Sequence, residues 1–350
     1  MPDFCDMNTT ELADWLISQN EKPFHAKQLI DWVYSKGVID LEQMTNLSKD
    51  LRQKLADNFR FPVLQLVRVL PSEDLETYKF LWRLPEGSLV ESVLICSGDR
   101  RTVCVSSQVG CPAKCAFCAS GKQGFKRNLR PSEIVEQVVQ INRWLYEKEE
   151  RVSHIVYMGM GEPFKNYDAV VKSIRLISDP EILNISQRRI TVSTVGVVEG
   201  IKRLTTEDLK VNLVLSLHAP NQHIRLKIIP YARKYPLEEI MEAMEGYTRK
   251  TKRDITYEYT LIAGINDHPD HAHELSHLLR GRQCTVNLIP YNPVPGLKLQ
   301  RPEKKAIKAF RSVLFGSKIP NTCRYTKGED IAAACGQLAL QEMETPDVAA

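Results

Sequence analysis

Residues 102–118 read TVCVSSQVGCPAKCAFC, a short β-prone run followed by a glycine and then by three closely spaced cysteines. From this run onward, β-prone runs alternate with stretches whose apolar residues recur at helical spacing. Strands that alternate with helices are typical of parallel βα units. The stretch is therefore the first strand of a predicted α/β domain, with strands over 102–107, 153–158, 189–194, 211–217, 255–262 and 284–289.

The helical stretches between these strands indicate the size of the domain. They lie near 131–148, 167–178, 197–206, 237–251 and 268–280, and one more follows at 302–316. Six strands and six helices are too few for a closed barrel of eight units. The predicted fold class is therefore α/β, with a partial (β/α)6 TIM-like barrel.

The segments on either side of this alternation have a different character. Residues 1–62 place apolar residues at helical spacing, whereas 63–101 contain short β-prone runs separated by turns. The last ten residues show neither pattern. We predict a small helical N-terminal domain over 1–62, a β-meander linker over 63–101, a core over 102–340 and a flexible tail over 341–350.

Polar and glycine-rich motifs follow the predicted strands at the points where the strands end. The three cysteines follow the first strand, and the run GMGEP at 159–163, with Gly161 and Glu162, follows the second. Because the C-terminal ends of barrel strands form the active site in such folds, we expect these motifs to converge. The remaining candidates at strand ends are Ser193, Ser216, Leu217, His218 and Asn292.

Cys111, Cys115 and Cys118 form a C-x3-C-x2-C pattern. Thiolates are soft ligands that suit iron–sulfur clusters and zinc. A structural zinc site takes four ligands, and no fourth Cys or His follows at ligand spacing. Three thiolates on a [4Fe–4S] cluster leave one iron open to the amino and carboxylate groups of S-adenosylmethionine (SAM). A structural zinc ion, or thiols without a metal, remain the alternatives.

The composition is that of an ordinary globular protein, with 43% hydrophobic and 26% charged residues. We find no apolar run of about 18 residues and no pattern of a secretory signal, so we expect a cytoplasmic protein without a membrane span. The formal net charge of +4 is compatible with an RNA partner but does not demand one. Nine cysteines in such a chain argue against a structural disulfide framework.

The surroundings of the cysteines closely resemble one family. The runs SSQVGC at 106–111, GFKRNL at 124–129 and GEDIAAACGQL at 328–338 are similar to those of the RlmN-type 23S rRNA adenine methyltransferases, which are radical SAM enzymes. The resemblance covers nearly the whole chain, although Lys327 and Ser120 replace the commoner Arg and Thr. It implies a partial (β/α)6 barrel, a small N-terminal RNA-binding domain, one [4Fe–4S] cluster on the three cysteines, and SAM.

The resemblance also implies a reaction. Carbon 2 of adenine is electron-poor and does not attack the methyl group of SAM, whereas a carbon radical adds to it. Cys335 would take a methyl group from one SAM, and a radical from a second SAM would take hydrogen from that methyl group. Cys104 would then release the methylated RNA through a transient disulfide, and Glu91 would remove the carbon 2 proton.

These catalytic residues have structural alternatives, since a buried thiol behaves as a small apolar residue and a carboxylate is common at a strand edge. Because the thiolate is the nucleophile, the site should lower the pKa of Cys335 or at least not raise it. The resemblance assigns SAM contacts to the strand-end residues already named. The basic residues that flank the cysteine loop are candidates for phosphate contacts: Lys122, Lys126, Arg127 and Arg130.

The implied substrates are a 23S rRNA adenine near the peptidyl-transferase centre and the tRNA adenine at position 37, directly 3′ to the anticodon. A reducing protein such as flavodoxin or ferredoxin would supply electrons, and the enzyme would act as a monomer away from membranes. Three other functions stay open. They are methylation of carbon 8 of the same adenine, as in related resistance enzymes, activation of a glycyl-radical protein, and non-enzymatic RNA binding.

Overall fold

The computed structural model describes residues 1–324 and 327–338. The predicted tail at 341–350, and residues 339 and 340 at the end of the predicted core, lie outside the described residues. Within the described part, the strands form one ten-stranded sheet and a separate two-stranded sheet.

The residues that precede the sheet are helical, as their apolar spacing predicts. Asn8 begins the first helix with a capping box, in which its side chain accepts from the Glu11 amide at 2.9 Å and its amide donates to the Glu11 carboxylate at 2.9 Å. The apolar faces of these helices pack into the main core. The helices are α1 (Thr9–Ser18), α2 (His25–Ile30), which continues in a π-helical turn (Asp31–Ser35), and α3 (Lys49–Asn58).

An antiparallel meander follows, and it belongs to the same sheet as the barrel. Its strands are β1 (Gln65–Pro71), β2 (Thr77–Arg83), β3 (Leu89–Ser97) and β4 (Arg100–Cys104). β4 pairs with β3 on one side and with the second barrel strand on the other. The boundary predicted between residues 101 and 102 therefore falls inside β4, in the middle of a continuous sheet.

A small hairpin brackets the cysteine loop. It consists of β5 (Gln108–Gly110) and β6 (Phe125–Asn128), and a single helical turn, α4 (Ala119–Lys122), follows the third cysteine. Gly110 has φ of +73°, and a Cβ atom there would lie 1.7 Å from the Gly124 carbonyl oxygen. Only glycine permits this close crossing of the two strands, which holds the two ends of the loop together.

The barrel is built from parallel strands that stand in chain order. After β4 come β7 (His154–Tyr157), β8 (Ile190–Thr194), β9 (Asn212–Ser216), β10 (Ile255–Leu261), β11 (Cys284–Pro290) and β12 (Asn321–Cys323). All six predicted strands are present, and β12 adds a seventh that is too short to leave a periodic pattern. The helices are α5 (Pro131–Tyr146), α6 (Tyr167–Ser178), α7 (Val198–Thr206), α8 (Gln222–Ile228), α9 (Leu237–Thr251), α10 (Pro269–Leu279) and α11 (Lys304–Gly316).

The nine cysteines all lie in the described part of the chain, and none of them forms a disulfide there. Cys5 and Cys284 are buried in the main apolar core. Among the described residues, no helix combines the length and the apolar character that crossing a bilayer requires.

A buried carboxylate joins the entry of β1 to the barrel. Glu136, on α5, is 2% exposed, and it accepts hydrogen bonds from the Val63 amide at 2.8 and 2.9 Å and from the Leu64 amide at 2.8 Å. Burial raises the pKa of Glu136 to about 8, although these two amides oppose the shift. Two buried N–H groups therefore depend on this one side chain.

We predict that Glu136→Ala lowers the free energy of unfolding by about 2–6 kcal/mol, because two buried amides lose their acceptor and each costs about 1–3 kcal/mol. Urea unfolding followed by circular dichroism measures the change. Glu147→Ala, at the exposed end of the same helix, is the matched control and should change it by less than about 0.5 kcal/mol. Equal stability of the two variants would show that other groups satisfy both amides.

Candidate active site

A cleft at the carboxyl ends of the parallel strands brings most of the predicted site residues together. Leu217, Cys104 and Glu91 are not part of its wall. The cleft also gathers polar residues from β8, β9, β10 and the segment after β11. The predicted residues that line it are Cys111, Cys115, Cys118, Gly161, Glu162, Ser193, Ser216, His218, Asn292 and Cys335.

Backbone hydrogen bonds fix the loop that carries the three cysteines. The Cys111 amide donates to the Gly124 carbonyl at 3.2 Å, which anchors the loop to the hairpin. The Ala116 amide donates to the Ile228 carbonyl at 2.8 Å, which anchors its middle to the end of α8. The thiols therefore enter the cleft from a well-supported loop.

Burial raises the pKa of all three thiols. The pKa of Cys111 rises to about 12, and the pKa values of Cys115 and Cys118 also lie above the ordinary value. Neighbouring thiols add to the shift at Cys111 and Cys115, because nearby negative charges repel one another. The thiols are therefore protonated at neutral pH in the chain alone, and metal binding has to release their protons.

The donor set suits an iron–sulfur cluster better than a single zinc ion. Within residues 1–324 and 327–338, no three His, Cys, Asp or Glu side chains are arranged to hold one metal ion. A [4Fe–4S] cluster takes one thiolate per iron, so its ligands surround a larger body. Cys335, which comes from a different segment, is a further thiol on the cleft wall and stands apart from the loop triad in sequence.

Glu162 lines the cleft, and its carboxylate is held by the chain itself. It accepts hydrogen bonds from the Thr194 hydroxyl at 2.7 Å, the Val195 amide at 2.8 Å and the Phe164 amide at 3.0 Å. Burial raises its pKa, and these donors oppose the shift. The preceding Gly161 has φ of +109°, a region that favours glycine. The turn after β7 is thus braced against the end of β8.

The ends of β8 and β9 present polar groups to the cleft. The hydroxyls of Ser193 and Ser216 lie 3.1 Å apart. His218 Nδ1 accepts a hydrogen bond from the Thr260 amide at 2.9 Å, and burial lowers the pKa of His218 to about 3, so its ring is neutral. The side chain of Leu217 is buried in the main core, which leaves only its backbone for contact with a ligand.

The C-terminal segment 327–338 packs across the cysteine loop. The Ala119 amide donates to the Gly336 carbonyl at 2.7 Å, and the Ser120 hydroxyl donates to the Leu338 carbonyl at 2.7 Å. Ser120, one of the departures from the family pattern, thus retains a hydroxyl for this contact. These bonds bring the segment that carries the methyl-acceptor candidate to the edge of the cleft.

Cys335 is accessible to solvent at the cleft, and the side-chain amide of Asn292 donates to its carbonyl at 3.1 Å. Desolvation by the surrounding protein, and then the negative charge of Glu258, raise the pKa of Cys335 to about 12. The expectation that the site lowers this pKa, or at least does not raise it, is wrong for the chain alone. The nearby Arg324 opposes the shift but does not outweigh desolvation.

Cys104 and Glu91 lie beside the cleft rather than on its wall. Burial, and then the proximity of the Cys335 thiol, raise the pKa of the Cys104 thiol well above its usual range. Glu91, buried in β3, pairs with Lys79 at 3.3 Å, and the Lys79 ammonium also donates to the Ala332 carbonyl at 3.4 Å. Both residues are therefore linked to the segment that carries Cys335.

Two buried ionisable side chains at the site were not predicted from the sequence. Glu258 lines the cleft from β10, and burial raises its pKa. Arg225, on α8, is fully buried near Cys115 and Glu162, and burial lowers its pKa to about 10. A lone carboxylate in the strand ITYEYTL, at 255–261, was a usable signal for Glu258. Nothing distinguishes Arg225 from the other basic residues around it in the sequence.

Two of the four predicted phosphate contacts form ion pairs within the protein. Arg127 pairs with Glu133 at 2.8 Å and with Glu86 at 2.6 Å. Arg130 pairs with Glu133 at 2.9 Å and with Asp3 at 2.9 Å. These arginines join the hairpin, α5, the meander and the N-terminus, so they have a structural role, and their contact with phosphate stays a prediction. The other two predicted contacts, Lys122 and Lys126, are exposed.

The helical N-terminal region and the barrel each match a known protein family. Residues 2–60 match the ribosomal RNA large subunit methyltransferase N-terminal domain, and residues 105–275 match the radical SAM superfamily. The "Probable dual-specificity RNA methyltransferase RlmN 2" of Protochlamydia amoebophila is 73% identical over 98% of this chain and 96% of its own length. A probable RlmN of Lysinibacillus sphaericus is 49% identical over 95% of this chain and 87% of its own.

The crystal structure of a radical SAM methyltransferase from Sphaerobacter thermophilus has the same fold, with a TM-score of 0.94 and 43% identity. The similarity covers 97% of this chain and 99% of that one. The predicted partial barrel and the predicted family are thereby confirmed. With relatives this similar along almost its whole length, the chain belongs to the RlmN family of radical SAM RNA methyltransferases, enzymes that bind a [4Fe–4S] cluster and SAM.

Proposed function

We propose that this enzyme methylates carbon 2 of a 23S rRNA adenine near the peptidyl-transferase centre, and carbon 2 of the tRNA adenine at position 37, with Cys335 as the methyl carrier. The observation that carries the proposal is that Cys335 lines the same cleft as Cys111, Cys115 and Cys118. A methyl carrier has to lie within reach of the place where SAM is cleaved. The packing of the C-terminal segment on the cysteine loop supports this arrangement.

The proposed cluster ligands are the three loop cysteines, and the proposed SAM contacts are the strand-end residues. When bound, the cluster supplies the electron that cleaves SAM, while SAM supplies the methyl group and the radical that takes hydrogen from it. Glu162 and the serine hydroxyls offer oxygens to the ammonium and ribose groups of SAM. The full set of proposed SAM contacts is Gly161, Glu162, Ser193, Ser216, His218, Asn292 and the backbone of Leu217.

Cys335 has to lose its proton before its sulfur can attack a methyl group. Its pKa of about 12 in the chain alone keeps the thiol protonated at neutral pH. A cationic group beside a thiol lowers its pKa, and the sulfonium of SAM is such a cation. We therefore expect Cys335 to become nucleophilic only when the cofactor lies next to it, which protects an accessible thiol from other reactions.

Cys104 and Glu91 complete the proposed chemistry. Once the adduct has given up one electron and the proton of carbon 2, the Cys104 thiolate attacks the sulfur of Cys335 and breaks the bond between that sulfur and the methylene carbon. This carbon takes up a proton and becomes the methyl group of the released RNA. The two sulfurs remain as a transient disulfide, which two electrons from a protein reductant return to thiols. Cys335 is one of the groups that raise the pKa of Cys104, so the two residues lie near each other, which supports this role. Glu91 accepts the proton of carbon 2, and its link through Lys79 to the Ala332 carbonyl supports its place beside the same segment.

An RNA substrate requires a surface beside the cleft that binds phosphates and bases. Single-stranded RNA is bound through its phosphates and through bases that stack on aromatic rings. The hairpin beside the cysteine loop carries Phe125, which is 47% exposed, and the exposed Lys126, with Lys122 just before it. We propose that the enzyme acts as a cytoplasmic monomer and takes electrons from a reducing protein such as flavodoxin or ferredoxin.

Nucleoside analysis tests the position of the methyl group. Cells that lack this enzyme should lose 2-methyladenosine from both 23S rRNA and tRNA, as measured by mass spectrometry, and reintroduction of the gene should restore it. Loss of 8-methyladenosine instead would establish the resistance-type reaction. If both nucleosides persist, RNA methylation is not the function, and a glycyl-radical activase or a binding module takes its place.

Cys335→Ala should lower RNA methylation by more than about 10³-fold, because it removes the proposed covalent carrier. Peptide mapping after reaction with isotopically labelled SAM should find an S-methyl group on Cys335 in the unchanged protein. Cys323→Ala, which changes a half-buried cysteine of β12, is the matched control and should leave methylation intact. An active Cys335→Ala enzyme would disprove the carrier role.

The Cys335→Ala variant also tests whether one iron of the cluster is left free to bind SAM. Iron and sulfide contents of Cys335→Ala after anaerobic reconstitution should equal those of the unchanged protein, whereas Cys115→Ala should lose the cluster. If Cys335→Ala loses it as well, Cys335 is a fourth cluster ligand, and no iron is left for SAM.

Cys104→Ala should accumulate a covalent adduct between protein and RNA, because the proposed resolving thiol is absent. Denaturing electrophoresis with labelled RNA detects the adduct, and nuclease digestion followed by mass spectrometry locates the nucleoside on Cys335. Cys96→Ala, in the neighbouring β3, is the control and should release free RNA. Normal release of methylated RNA by Cys104→Ala would contradict the resolving role.

A further inference from the structure

Arg225 is a buried cation without a counter-ion. The residue lies on α8 and is 0% exposed. Its guanidinium donates hydrogen bonds to the carbonyls of Leu217, Val195 and Ser216 at the ends of β8 and β9. Its Nη1 atom is buried and has no hydrogen-bond partner. Throughout residues 1–324 and 327–338, no carboxylate forms an ion pair with this side chain.

The surroundings of Arg225 leave both a hydrogen-bond donor and a positive charge unsatisfied. Arginine is almost never fully buried unless it is paired, because a charge in a low-dielectric interior is strongly disfavoured. The three carbonyls satisfy part of the hydrogen-bonding capacity but carry no negative charge. An anion next to Nη1 would satisfy both the orphaned donor and the charge.

The position of α8 limits which anion this can be. The helix is joined to the cysteine loop by the hydrogen bond from the Ala116 amide to the Ile228 carbonyl, at 2.8 Å. The ionisable groups close enough to raise the pKa of Arg225 are Cys115 and then Glu162, and neither forms an ion pair with it. The carboxylate of Glu162 accepts hydrogen bonds from Thr194, Val195 and Phe164 and none from the Arg225 guanidinium. An anion can therefore approach the Nη1 atom of Arg225 from the side of Cys115, which lies on the loop that α8 supports.

We propose that Arg225 is the internal counter-charge of the [4Fe–4S] cluster, that its Nη1 donates to the Cys115 sulfur or to a sulfide beside it, and that it raises the reduction potential of the cluster. A [4Fe–4S]²⁺ core with three thiolates has a net negative charge, and reduction by one electron makes the charge more negative. A fixed cation in a dry site favours the reduced form, as do hydrogen bonds to the sulfurs.

This role would make Arg225 a positioning and tuning residue for the electron-transfer step. It rests on the proposed ligation of the cluster by Cys115, but it is independent of which adenine carbon is methylated. A higher potential allows an ordinary protein reductant to load the cluster before SAM is cleaved. The carbonyl contacts of the same guanidinium connect the strand ends that carry the proposed SAM contacts to the cluster loop.

The first test is a redox titration of Arg225→Met, which removes the charge and retains an apolar side chain of similar reach. After anaerobic reconstitution, electron paramagnetic resonance measures the reduced cluster at each potential. At a fixed potential, the ratio of reduced to oxidised cluster should fall at least tenfold, which corresponds to about 59 mV for a one-electron couple. Arg225→Lys, which keeps the charge, should recover most of this loss.

The matched control is Lys227→Met, which removes the same charge from an exposed position on the same helix. Its potential should equal that of the unchanged protein, because water screens an exposed charge. The inference is overturned if Arg225→Met holds a full cluster at an unchanged potential, or if Arg225→Lys shifts as far as Arg225→Met. If the unchanged protein forms no cluster at all, the proposed function fails together with this inference.

A second measurement does not depend on the folding of the methionine variant. Protein labelled with ¹⁵N-arginine is reduced, and pulsed electron paramagnetic resonance records nuclei coupled to the spin of the cluster. The unchanged protein should show a ¹⁵N coupling, and labelled Arg225→Lys should lack it. If the unchanged protein shows no ¹⁵N coupling, no guanidinium contacts the cluster and the inference is wrong.

Discussion

The hydrogen bond from the Ala119 amide to the Gly336 carbonyl, at 2.7 Å, joins two segments from opposite ends of the barrel sequence. Parallel strands deliver the cysteine loop and the polar strand ends to one edge of the sheet, as they do in barrel enzymes generally. They do not deliver Cys335, which follows the last strand. Its presence on the cleft wall depends on this contact and on the neighbouring bond between Ser120 and Leu338.

Desolvation dominates the electrostatics of the cleft. It raises the pKa values of the thiols and of Glu162, and it lowers that of His218, so burial opposes the charged form of each of these groups. Arg225 retains its charge, since its lowered pKa of about 10 still lies above neutrality. The cleft therefore places one buried cation beside groups that burial makes harder to ionise. A cluster with a net negative charge would supply the opposite charge to that cation.

Features encoded locally were predictable from the sequence, and features that depend on distant partners were not. The six strands, the six helices and the convergence of strand-end motifs follow from periodicity and from the geometry of parallel sheets. The three-residue β12 leaves no periodic pattern. The pairing of Arg127 and Arg130 with Glu133, the burial of Arg225 and the raised pKa of Cys335 all depend on tertiary neighbours. Residue type alone does not reveal whether a charge is exposed.

The order of the strands in the large sheet is the order of the strands in the chain, apart from the hairpin that lies outside it. During synthesis, the N-terminal helices emerge first, and the meander that follows them presents the free edge of β4. Each later strand then meets a partner that has already left the ribosome, so the barrel grows at one edge only. Because each strand pairs with its predecessor in the sheet, only the short chain between the two strands has to close into a loop, which favours assembly strand by strand as the polypeptide is made.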